Sequence, residues 1–147
     1  MNAEVERIAS SDAACQRLRQ IPGIGPLVAT AIVASIGNGS AFRKGREFAA
    51  WMGLVPRQHS TGGKARLYGI SKRGNRYLRM ILVHGARAVV LRSKRDRIAM
   101  GAWLTSLEGR APRNVLIVAM ANKLARIAWT VLSTGQDYRV VHAETAA

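Results

Sequence analysis

Carboxylates are scarce in this sequence for its size. Eight Asp and Glu stand against 23 Lys and Arg in 147 residues, a formal net charge of +15. The eight acids are dispersed from Glu4 to Glu144, so no clustered carboxylate pair for a two-metal site is expected, and no metal is assigned to this chain. The single cysteine, Cys15, excludes an internal disulfide and reads as a small buried hydrophobe in a reducing compartment. Three scattered histidines and one cysteine do not make a zinc site. Long apolar runs are missing too. LVATAIVASIG, the longest, is too short to span a bilayer, and the opening NAEVERIAS is too polar for a signal peptide. No membrane partner is expected, and the chain reads as cytoplasmic. Strand-like alternation, internal repeats and low-complexity linkers are nearly or wholly absent.

What is present is helical periodicity, in a chain that is 48% apolar and long enough to bury a core. Val5, Ile8, Asp12, Cys15 and Arg19 share one face of a first, linking helix over residues 1–20. Pro26 opens a second helix, about Leu27 to Ile36, that is apolar on all sides and so expected to be central. A short helix from about Arg46 to Met52 carries Phe48 and Trp51 inward. Ser71 is the expected cap of a long helix to about Arg92, with Leu78, Ile81, Leu82, Gly85 and Val89 as its buried stripe and His84 semi-buried beside it. A helix from about Arg95 to Leu107 carries Ile98, Ala102 and Trp103. The last runs from about Arg113 to Thr134 and stops at Gly135, with a frayed tail over 140–147. The fold class is mainly all-α, and a short β-hairpin across Gly62-Gly63 is allowed.

Two stretches suggest chemistry. IPGIGPLVATAIVASIG has the pattern of a helix-hairpin-helix: Gly23 and Gly25 permit a tight turn between helices, and Ala29 and Ala31 permit close packing. Backbone N–H groups in such a turn, at the positive end of the next helix, can hold a backbone phosphate. The bland alternative is an αα-turn that contacts nothing. The second stretch, LVPRQHSTGGKARLYGISKRGNRYLR, holds seven Lys or Arg and no carboxylate. Arg57, Lys64, Arg66, Lys72, Arg73, Arg76 and Arg79 surround Ser60, and at ~100° per residue Lys72, Arg76, Arg79 and Arg87 fall on one helical quadrant. An excess of positive charge this large points to a polyanionic partner, nucleic acid before membrane. An alcohol among cations suits phosphoryl transfer, although a serine in a glycine-rich loop is, taken alone, ordinary turn chemistry.

IPGIGPLVATAIVASIG, FAAWMGLVPRQHSTGGKARLYGISKRGNRYLRMILVHGARAV and NKLARIAWTVL together resemble the C-terminal domain of transposases of the insertion sequence 110 family, over about Leu18 to Arg139. The resemblance implies a domain over 18–139 that works beside an N-terminal RuvC-like domain with a DEDD carboxylate set. The pair recombines DNA, in some members guided by a structured bridge RNA, and full-length members are expected to act as homo-oligomers at the nucleoid. It implies that Ser60, in the family's Ser-Thr/Ser-Gly-Gly motif, attacks a DNA phosphodiester and becomes covalently attached; Thr61 is the second choice. The RuvC-like domain is expected to be absent here and supplied in cis or in trans. A divalent metal such as magnesium would belong to that domain, and no cofactor is assigned to this one. The rival reading is a non-catalytic DNA- or RNA-binding remnant. His59 reads as a phosphate contact or a solvent-exposed residue, Tyr68 as an aromatic that either stacks on a base or packs over the glycine-rich turn, and Trp51, Trp103 and Trp129 as core. Asn122, Lys123 and Arg126 read as a solvated face of the last helix.

Overall fold

A computed structural model describes residues 2–54, 56–61, 64–70 and 75–139. The elements, in order, are α1 (Asn2–Ser11), α2 (Ala13–Leu18), α3 (Pro26–Ile36), α4 (Gly45–Trp51), β1 (Pro56–Thr61), β2 (Lys64–Ile70), α5 (Arg76–Arg92), a 3-10 turn (Arg95–Arg97), α6 (Gly101–Glu108) and α7 (Arg113–Thr134). The protein is mainly helical, as its periodicity predicts. The two strands pair only with each other, antiparallel.

Capping residues decide where the helices break. The expected first helix is in fact two, because Asp12 is extended (φ −104°, ψ 122°) and its Oδ1 accepts the Cys15 N–H at 3.0 Å, starting α2 afresh. Likewise α5 begins at Asn75, whose Oδ1 accepts the Leu78 N–H at 2.9 Å. The expected cap Ser71, like Lys72 and Arg73, lies outside the described residues, as do Gly62, Gly63 and the tail over 140–147. The helix expected from Arg95 to Leu107 is a 3-10 turn followed by α6. Arg95 donates to the carbonyls of Val90 (2.8 Å) and Ser93 (3.0 Å) and to Glu108 (3.2 Å), which fastens the end of α5 to α6. Ala102 consequently faces out rather than in. Two helix limits fall where the sequence puts them: Pro26 occupies the first turn of α3, and Gly135, at φ 68°, closes α7 in the left-handed conformation.

The centre belongs to α7, not to α3. Along α7, Leu116, Ile117, Met120, Leu124, Ile127, Val131 and Leu132 are buried, with Ala121, Ala125 and Ala128 at its closest approaches. It packs against α2, α4, α5 and α6. By length and composition α7 could cross a bilayer; here most of its apolar surface is covered by the other helices. α3 buries only Val28, Ala29 and Ile32 against α1, α2 and α5, and leaves Leu27 42% exposed, so an apolar circumference did not make it central. Two further side chains differ from expectation. Trp51 is 38% exposed, stacked on Phe48 at 6.1 Å and tilted against Phe42 at 5.7 Å, at the rim of the core. His84 faces solvent from α5 instead of lying half-buried, because the buried stripe of that helix runs through Leu78, Ile81, Leu82, Ala86, Val89 and Val90.

The turn between α2 and α3 sits in the groove where α5 meets α7. Ile21 and Ile24 anchor it in the core. Gly23 adopts φ +88°, and a Cβ there would stand 2.8 Å from Val89 Cγ2, 3.0 Å from the Gly85 carbonyl oxygen and 3.1 Å from Leu124 Cδ1. A Cβ on Gly85 would in turn overlap the Gly23 carbonyl oxygen. Backbone therefore crosses backbone, and neither residue has room for a side chain. Gly25, at φ −92°, faces open space. Gly85→Ala is expected to cost about 3 kcal/mol or more in urea denaturation, at or beyond the upper end of overpacking because the clash is with main chain. Gly25→Ala should cost about 1 kcal/mol or less, the difference between two N-cap residues.

Candidate nucleic-acid interface

The ribbon carries the serine. Its register sets Pro56 against Ile70, Gln58 against Leu67, His59 against Arg66, Ser60 against Ala65 and Thr61 against Lys64, with an irregularity between Pro56 and Gln58. Ser60 thus lies one residue from the end of β1, and Lys64 and Arg66 flank its cross-strand partner on β2. Arg57 sits at the irregularity near the base. Tyr68 is on β2.

Two main-chain carbonyls hold the root of this ribbon to the helices. Asn122 of α7 donates its Nδ2–H to the Leu54 carbonyl at 3.1 Å, and Arg79 of α5 donates an Nη1–H to the Met52 carbonyl at 3.2 Å. Neither bond was foreseen. Asn122 is a half-buried structural donor rather than part of a solvated helix face, and Lys123 beside it lies 4.7 Å from the centroid of Trp103, in cation–π contact. Leu54 and Asn122 are distant in sequence, and no local pattern announces such a pair.

Of the cations expected to grip phosphate, Arg76 is exposed at the first residue of α5, and Arg87 is exposed three turns on. Arg79 is half-buried and already bonded to Met52. Lys72 and Arg73 lie outside the described residues. The glycines of the α2–α3 turn are set apart from this group. The turn crosses α5 at Gly85, nine residues beyond Arg76 and so about 14 Å along the helix axis. Within the turn, Gly23 faces the core, so a side chain there would strike Val89 and Leu124 rather than an incoming phosphate. Gly25, the N-cap of α3, faces outward.

Charge and burial narrow what the domain can do. Among the described residues no polar or charged side chain is fully buried, so no enclosed catalytic network lies inside the helical core. Cys15 is 1% exposed, and burial pushes its thiol up to about 11, which leaves it a poor nucleophile near neutral pH. Ion pairs among the described residues join Arg7 to Glu4, Arg19 to Glu6 and Arg95 to Glu108, leaving most of the cationic excess without a carboxylate partner. Arg79→Ala is expected to lower stability by about 1.5 kcal/mol or more, since its bond to Met52 uses a charged donor. Arg76→Ala should stay within about 0.5 kcal/mol. Thermal or urea unfolding of the two variants measures the contrast.

Residues 15–100 match the family described as Transposase IS116/IS110/IS902. The chain is 52% identical over 139 residues to a "Probable family 20 transposase" of Pseudomonas aeruginosa, covering 95% of this chain and 41% of that protein. It is 44% identical over 136 residues to the transposase for insertion sequence element IS1111A of Coxiella burnetii, covering 92% of this chain and 37% of that one. To the transposase for insertion sequence element IS1328 of Yersinia enterocolitica it is 43% identical over 132 residues, 90% of this chain and 40% of the relative. The chain therefore spans about two fifths of the length of these curated relatives.

Proposed function

The chain belongs to the IS116/IS110/IS902 family of transposases, and we propose that it is the DNA-binding and strand-transfer part of such an enzyme, with Ser60 as the nucleophile. The observation that carries this reading is the ribbon register. Ser60 stands near the tip of β1, paired with Ala65, in a two-stranded ribbon that also carries Lys64 and Arg66 as the partners of Thr61 and His59. In the proposed step the serine oxygen forms a bond to phosphorus as the bond from phosphorus to one sugar oxygen breaks. The serine proton passes to a base, and the departing sugar oxygen takes up a proton. Lys64, Arg66 and the neighbouring cations Arg57, Lys72, Arg73 and Arg76 offset the charge on the phosphate oxygens, while Arg79, expected among them, holds the Met52 carbonyl instead. The α2–α3 turn serves as a helix-hairpin-helix. Gly25, rather than the inward Gly23, offers the outward backbone at the N-terminus of α3.

Metal-dependent chemistry, if the full enzyme uses it, belongs to a RuvC-like domain in cis or in trans. Among the described residues no three His, Cys, Asp or Glu come together as a metal-binding group, and no step here is routed through a metal. That dispersion also supports the second reading, a DNA- or RNA-binding module that does no chemistry by itself. A guide RNA, a homo-oligomeric full-length enzyme and a place at the cytoplasmic nucleoid are further parts of the proposal.

Duplex binding by this chain should depend on salt. With about five phosphates engaged, log K is expected to fall against log salt with a slope near −4 to −5. A flat titration would remove the polyanion argument. With a RuvC-like domain restored, wild type should leave a protein–DNA adduct that survives denaturation and maps to the peptide containing Ser60. Ser60→Ala should abolish the adduct while leaving DNA affinity unchanged, and Thr61→Ala should retain it. An adduct that survives Ser60→Ala and disappears in Thr61→Ala would move the nucleophile by one residue. No adduct from any reconstituted complex favours the binding module.

A further inference from the structure

A second cationic site lies at the end of α4 away from the ribbon. Gly45, Arg46, Lys123, Arg126, Ile127 and Thr130 line a cavity of about 270 Å³ between α4 and α7. Gly45 is what brings the two helices together there, since a Cβ on it would stand 3.0 Å from the Arg126 carbonyl oxygen and 3.1 Å from its Cα. Three of the lining residues are cations and none is a carboxylate. The ion pairs among the described residues leave all three out. Glu47, the acid of α4, instead accepts the Arg43 backbone N–H at 2.7 Å.

Like charges gathered side by side repel one another, and burial strengthens that repulsion at Lys123, the half-buried member beside the exposed Arg46 and Arg126. Lys123 shows the effect: burial, and after it the charge of Arg126, hold its ammonium below the ordinary lysine value. The contact with Trp103 relieves part of this, because the ring face attracts the cation, but it brings no negative charge. An anion entering the cavity would relieve the rest. Two guanidinium forks and an ammonium are the donor set that fits the oxygens of a phosphate.

We propose that this cavity binds a backbone phosphate of a nucleic-acid strand, as a contact separate from the ribbon and the α2–α3 turn. The inference rests on the nucleic-acid reading of the chain given above. It gains support from position. Asn122, which holds the root of the ribbon, and Thr130, at the cavity, are eight residues apart on α7, about 12 Å along one seam. A strand engaged at the ribbon can reach the cavity without leaving the α4–α7 face.

The test compares the double variant Arg46→Gln/Arg126→Gln with a control, Lys94→Gln/Arg97→Gln, which removes the same charge from exposed positions elsewhere. Arg46→Gln alone is the second variant, used if thermal melting shows that the double variant does not fold. Affinity for a 30-base-pair duplex is measured across a salt series, and melting is repeated with inorganic pyrophosphate. The cavity variant should bind about tenfold more weakly near physiological salt, with the salt slope shallower by about one, while the control keeps its slope. Wild-type binding that falls equally in the cavity variant and the control would overturn the proposal. A melting shift with pyrophosphate that only the cavity variant loses, at unchanged DNA affinity, would also overturn it, by assigning the cavity to a free anion. Failure of wild type to bind any duplex is a different result, which sinks the nucleic-acid reading of the whole chain.

Discussion

Gly23 and Gly85 cross without side chains, and the rest of the architecture is arranged around that crossing. The turn after α2 must enter the groove between α5 and α7 deeply enough to seat Ile21 and Ile24 in the core. Only two glycines allow the main chains to approach so closely. Once seated, the turn fixes where α3 starts and which way it leaves. The turn therefore does two jobs with two glycines. Gly23 belongs to the core, and Gly25 is left to face whatever lies outside.

Around this crossing the protein divides its labour between an apolar interior and a cationic exterior. No polar or charged residue among the described ones is fully buried, so side-chain hydrogen bonds such as those of Arg79, Arg95 and Asn122 lie at the margins of an apolar interior. The ribbon, where the chemistry is proposed to lie, attaches to the helices through the main-chain carbonyls of Met52 and Leu54. Side chains that the sequence offers as ligands for phosphate can thus hold the scaffold instead, and Arg79 is the clearest example.

Helix identity was legible in the sequence because periodicity, Pro26 and Gly135 act locally. The limits of α7 and the buried stripe of α5 follow directly from them. Asp12 and Asn75 were harder to see. Each accepts a backbone N–H three residues on; across Asp12 an apolar stripe continues and conceals the break, and before Asn75 the hydroxyl of Ser71 offers a rival cap. The exposure of Trp51 and His84 depends on which neighbouring helix covers which face, a long-range matter that helical spacing cannot settle. For the candidate site the sequence offers a charge and glycine pattern around Ser60, and that assignment stays a proposal. The bonds that root the ribbon, and the cationic cavity at Arg46, Lys123 and Arg126, arise only when α4 is laid along α7.

The position of α7 in the chain also bears on biosynthesis. α2, α4, α5 and α6 all precede it, and each leans on it. Among the described helices α7 is the last in the chain, so the common support of these four partners follows them off the ribosome. Until then the earlier helices have only one another, and the completed interior depends on contacts far apart in sequence, which form slowly. During that interval α7 is itself a 22-residue segment apolar enough to be mistaken for a membrane span. Rapid docking of α7 onto α5 and α4 is therefore as much a matter of escaping the wrong cellular machinery as of gaining stability.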